Sequence, residues 1–229
     1  MTPLQTMRRQ ILKYTLALCL ALFAFFSTPL SAHTINYSLA KEPGGMILLY
    51  YLKLGFHHII PTGSDHILFI SALCLLSSKI KTMLWQATAF TAAHSVTLAL
   101  SMKNIIVVPP AITEPIIAMS ITFVAIENII FSELKAWRIL IVFMFGLIHG
   151  MGFASALNEI GLPPNKFYTS ILAFNAGVEL GQATVIMIVF TSLVIWWGKK
   201  TWYRQRVVYP LSVAIALVAG YWTIARLFN

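Results

Sequence analysis

Six histidines and seven acidic residues stand in a chain of 229 residues, and their spacing gathers the chemistry into a few places. His58 precedes Pro61-Thr62-Gly63-Ser64-Asp65-His66, so one imidazole stands before a turn, and a carboxylate with a second imidazole opens the element after it. Thr91, His94 and Thr97 recur at i, i+3, i+6, and Asn175, Glu179 and Gln182 at i, i+4, i+7. Each set makes one polar stripe on an otherwise apolar helix. His149 lies in Gly146-Leu147-Ile148-His149-Gly150, where small residues four apart let a neighbouring helix approach closely; Gly177 and Gly181 flank Glu179 in the same way. Imidazoles and carboxylates aimed at one point suit a divalent transition metal: nickel or cobalt first, with zinc and copper as further options.

The elements that carry these groups are membrane helices. Of the chain, 59% is apolar and 10% charged, against about a quarter charged in a soluble domain. The +9 formal balance lies in short segments between apolar runs, which excludes a nucleic-acid face and fits membrane orientation. Residues 1–32 have a basic lead, an apolar stretch and small residues near Ala32, the layout of a secretory signal peptide, cleaved or kept as an anchor. Either way His33 reaches the far side of the membrane, where after cleavage its α-amine and imidazole could chelate metal. Apolar runs then follow at 46–60, 63–78, 82–102, 111–131, 138–157, 168–197 and 207–225, compared with the about 20 residues a span needs.

Lys79 and Lys81, Lys135 and Arg138, and Lys199, Lys200, Arg204 and Arg206 occupy alternate loops, which the positive-inside rule places in the cytoplasm. One crossing then separates His33 from the first of these loops, so residues 33–62 form a periplasmic N-terminus with a re-entrant or interfacial segment at 46–60. Residues 63–229 form a six-span permease bundle, and the fold class is an all-α polytopic membrane bundle. Cys19 and Cys74 leave no disulfide in a mature chain and argue against a thiolate copper site.

Asp65, Glu114, Glu127 and Glu179 fall inside the apolar runs, and centring one charge in a bilayer costs at least about 2.5 to 3.5 kcal/mol. Lys53 and the terminal Arg138 are the only basic residues within those runs, so protons or a metal ion should supply the positive charge. At about 1.5 Å per residue, His66 and Glu114 should lie near outer helix ends, His94, His149 and Glu179 near the middle, and Glu127 with Asn128 toward the cytoplasm. Glu114 and Glu127 are about 20 Å apart on one helix and cannot share an ion. The order suggests a path of outer mouth, midplane site and inner exit, with Asn175, Gln182 and Asn128 as supporting or release groups and His57 facing away.

Five stretches together resemble the HupE/UreJ family of membrane proteins: Gly55 to Phe69 (GFHHIIPTGSDHILF), Phe90 to Leu100 (FTAAHSVTLAL), Glu114 to Asn128 (EPIIAMSITFVAIEN), Phe145 to Gly161 (FGLIHGMGFASALNEIG) and Phe174 to Gln182 (FNAGVELGQ). The resemblance implies a bacterial inner-membrane permease, multi-pass with a periplasmic mature N-terminus, associated with nickel uptake for hydrogenase and urease. It implies metal handling by His58, Asp65, His66, His94 and His149, and supports Glu114, Glu127, Asn175 and Glu179 as family positions without assigning their roles. Pro61 and Thr62 lengthen the gap after His58 relative to the shorter hydrogenase-type spacing. The expectation is a non-enzymatic permease for a divalent cation, periplasm to cytoplasm, with no permanent cofactor. Its partners would be the lipid bilayer, the metal ion, and a second copy or a metalloenzyme maturation system. Two rivals stand beside it: an intramembrane zinc hydrolase using Asp65, Glu114 or Glu179 as base, and an accessory subunit that binds metal without moving it.

Overall fold

The computed structural model describes residues 41–228, so the segment 1–32 and His33 lie outside the described residues. All regular structure among the described residues is helical. The helices are α1 (Gly44–Ile59), α2 (Ser64–Leu75), α3 (Ile80–Met102), α4 (Pro110–Ile130), α5 (Arg138–Ile160), α6 (Phe167–Val189) and α7 (Tyr209–Leu227). A π-helical turn, Phe190–Val194, and a short turn, Ile195–Trp197, extend α6, and another π-helical turn, Arg204–Val208, leads into α7.

Local sequence explains the boundaries. Pro43 and Pro109 precede α1 and α4, where a proline's missing N–H leaves no helical bond unmade. Gly161 ends α5 with φ at 78°, a left-handed conformation open to a residue without Cβ. Pro61 and Gly63 part α1 from α2, which are bent by 68°.

Glycines set how the helices meet. A Cβ on Gly55 would strike the backbone of Phe174, and one on Gly177 the backbone of Leu52, so α1 and α6 cross in backbone contact. Gly181 abuts Ile59 further along both helices, which makes the pair parallel. Gly146 and Gly150 meet the carbonyls of Phe90 and His94 in the same manner, joining α5 to α3, also in parallel. The third close pair is α4 with α7, antiparallel, since Arg204 bonds the carbonyls of Ile129 and Phe131 while Arg226 bonds that of Glu114.

Four helical stretches are long and apolar enough to cross a membrane: Pro110–Ile130, Arg138–Ile160, Pro164–Trp197 and Arg204–Leu227. The bent pair α1 and α2 would make a fifth. The remaining helix of the expected six, α3, is as long as α5 at 23 residues, but it buries Gln86, Thr91, His94, Thr97 and Ser101. Its polarity is that of a helix enclosed by others rather than one facing lipid. The segment at 46–60 runs lengthwise beside α6 and continues through a bend into α2, the geometry of a broken span or a re-entrant segment.

The basic loops gather at one end. One cavity is lined jointly by Leu76 and Ser77, by Ser132, and by Lys200 and Arg204, which brings the segments after α2, α4 and α6 together. At the opposite end the Tyr51 hydroxyl donates to Gly161 O at 2.8 Å and Lys103 donates to the Tyr168 hydroxyl at 2.8 Å.

Candidate metal centre

Three imidazoles from three helices converge. His58 near the end of α1, His66 in the first turn of α2 and His94 in α3 present ring nitrogens that all lie within 4.8 Å of one another. The ring centroids of His58 and His66 are 4.7 Å apart, and His94 lies 6.2 and 6.3 Å from them. The break at Pro61 makes this possible. α1 brings the chain in beside α6 and α2 starts again at Ser64, which sets His66 against His58 and beside His94 of α3.

Hydrogen bonding decides which atom each ring offers. Asn175 Nδ2 donates to Ile171 O at 2.9 Å, which turns Asn175 Oδ1 toward His94 Nδ1 at 3.2 Å. His94 therefore donates from Nδ1, and its Nε2 keeps a bare lone pair. Ser120 Oγ donates to Ile117 O at 2.7 Å, so it accepts from His149 Nε2 at 3.1 Å and leaves His149 Nδ1 bare. His149 stands 5.1 Å from His66. The Nε2 atoms of His58, His66 and His94 and the Nδ1 of His149 are all buried without a hydrogen-bond partner.

Aromatic rings wall the cluster. Phe153 lies 3.8 Å from His58 and stacks on Phe174, while Phe90 lies 6.1 Å from His94 and 4.9 Å from His149. Buried polar atoms normally find a partner, and leaving one unmet costs about 1 to 3 kcal/mol. Three of these imidazoles, His58, His66 and His94, offer ring nitrogens close enough together that they could hold a cation, and an all-imidazole set suits nickel, cobalt, zinc or copper.

The carboxylates lie elsewhere. No carboxylate oxygen among the described residues joins the His58, His66 and His94 set at that distance. Asp65 points away from its neighbour His66 and takes two bonds from Arg226, at 2.9 and 3.1 Å. Glu127 is ion-paired with Arg138 at 3.0 Å. Arg138 also donates to Gln86 and Asn128, and Asn128 to Ala72 O at 2.7 Å, which ties α2, α3, α4 and α5 together. The expectation that the intramembrane acids have no cationic partner fails for these two. Arg226 lies just beyond the last apolar run and returns to Asp65 across 161 positions, and Arg138 opens α5 beside the end of α4. Glu127 and Asn128 thus form a buried lock. Glu114 is exposed, and its contact in this region is through its backbone carbonyl.

The polar stripes of α3 and α6 face each other as their spacing suggests. Thr88 donates to Glu179 at 2.6 Å, Thr91 to Gln182 at 3.0 Å, and His94 to Asn175. Thr97 departs from the pattern and donates instead to Leu147 O of α5 at 2.7 Å. Glu179 Oε2 remains buried and unpartnered. His57 is exposed, as expected. Sequence reasoning passed over Ser120, Thr88 and the phenylalanine wall, because one hydroxyl or ring among apolar neighbours carries no spacing signal. Arg226 was passed over as well, because an arginine just past the last apolar run looks like an interfacial anchor.

Long apolar helices wrapped around a convergent histidine cluster define a helical membrane protein with a candidate cation site. The chain belongs to the HupE/UreJ family, whose model, described as HupE / UreJ protein, matches residues 34–226. No match was found among curated proteins or among solved structures.

Proposed function

We propose that the protein is a permease for a divalent transition-metal cation, nickel or cobalt first, working from the periplasm to the cytoplasm across the bacterial inner membrane. The observation that carries this reading is the convergence of His58, His66 and His94, which offer ring nitrogens within 4.8 Å of one another and each keep a buried, unpartnered Nε2 inside the helical bundle. Membership of the HupE/UreJ family supports it. His58, His66 and His94 hold the ion, His149 stands next in line beside His66, and Asp65 lies at the outer approach. Glu179, half-buried with one free oxygen, supplies negative charge along the α3–α6 seam.

The ligand set also suits transit. Three neutral imidazoles leave a dication's charge uncompensated, and an uncompensated charge in a low-dielectric interior is held less tightly than one ligated by carboxylates. A hydrolase would need a general base near the metal-bound water, and no carboxylate oxygen among the described residues joins the His58, His66 and His94 set. The test is uptake of radioactive nickel or cobalt into proteoliposomes holding the full chain. Wild type should accumulate the ion, and His66→Ala and His94→Ala should lose that accumulation. Metal binding by wild type without accumulation would overturn the permease reading in favour of an accessory binding protein.

A further inference from the structure

We infer that Arg226 is the outer gate of the metal path, a tethered cation that holds Asp65 until an incoming divalent ion takes its place. The inference rests on the permease reading. Asp65 is the residue before His66, in the first turn of α2, so a carboxylate freed there stands at the entrance to the histidine cluster. Arg226 grips that carboxylate with both terminal nitrogens, and one of them also bonds Glu114 O at 3.3 Å. Its guanidinium lies 5.5 Å from the ring of Trp222, one turn back on α7. The side chain is thereby folded across the ends of α2, α4 and α7.

Comparison of the two ion pairs separates gate from lock. Glu127 and Arg138 have side chains 2% and 1% exposed, whereas those of Asp65 and Arg226 are 20% and 26% exposed. Parting the first pair would strand buried charges. Parting the second costs less, because both partners are already partly exposed and solvent screens part of their attraction. A divalent ion gains about twice the attraction to Asp65 that a monovalent ion gains, so the exchange favours dications over sodium or potassium. Arg226 in this role is a selectivity residue at the mouth.

The experiment follows cobalt(II) binding to purified full-length protein by stopped-flow absorption, with thermal unfolding of each variant beside it. Arg226→Gln should raise the association rate about fivefold, the factor expected for one weak ion pair, and Arg226→Lys should stay near wild type. An Arg226→Gln rate equal to or below wild type, with unfolding unchanged, overturns the gate. If Arg226→Gln does not fold, the exchanged pair Asp65→Arg with Arg226→Asp keeps the tether but leaves a cation beside His66; its association rate should fall, and an unchanged rate overturns the gate. Wild type that binds cobalt but accumulates none in proteoliposomes overturns the permease reading alone, and the association rates then decide the gate. Wild type that binds no cobalt overturns both.

Discussion

Asn175 determines which nitrogen His94 can offer to an ion, because its own amide is fixed by Ile171 O. Groups that orient a metal-binding imidazole typically contribute 10 to 100-fold in affinity, by order of magnitude roughly, when removed. Asn175→Ala should therefore weaken cobalt binding by about that factor with helical content unchanged, and Asn175→Asp, which keeps an acceptor, should recover most of it. A cobalt titration followed by absorption reads both variants. At the same scale, Arg138→Ala should cost about 3 to 5 kcal/mol, because it strands Glu127 in the interior; thermal unfolding in detergent checks it against Glu127→Gln. The histidines were legible in the sequence because imidazoles are rare in apolar runs and their spacing restricts where they point. The partners of Asp65 and Glu127 were not, because an arginine at a helix end is also what an interfacial anchor looks like.

The helices owe their close pairing to glycines at the crossing points. On Gly55 or Gly177 a Cβ would run into the backbone of the partner helix, and backbone cannot turn aside as a flexible side chain can. Gly55→Ala and Gly177→Ala should each destabilise by about 1 to 3 kcal/mol or more and reduce cobalt binding together with stability, since α1 carries His58. Gly220, with nothing within 4 Å of a Cβ, is the control: Gly220→Ala should leave the melting temperature in detergent unchanged or slightly raised. The glycine pairs around His149 and Glu179 could be read as contact faces from spacing alone, but not which helix each would meet. Pro61 likewise announced a break after Ile60. That the break would bring His58 and His66 together beside His94 depended on α1 packing lengthwise on α6, a contact between segments more than a hundred residues apart.

Across the whole molecule, charge and chemistry separate. The loops carrying Lys79, Lys135, Lys200 and Arg204 collect at one end, while Asp65, Arg226 and the Tyr51–Gly161 contact mark the other. In a cysteine-free background, Thr201→Cys should react with a membrane-impermeant thiol reagent from the cytoplasmic side only, and Val107→Cys, 73% exposed, from the periplasmic side only; reversed labelling would overturn the assigned orientation. Between those ends lies the histidine centre on which the account depends. X-ray absorption at the cobalt edge of the loaded full-length protein tests it most directly. The account predicts a first shell dominated by imidazole nitrogen at about 2 Å, with the imidazole contribution reduced in His94→Ala. A shell of oxygen alone, or an identical spectrum in His94→Ala, would contradict it.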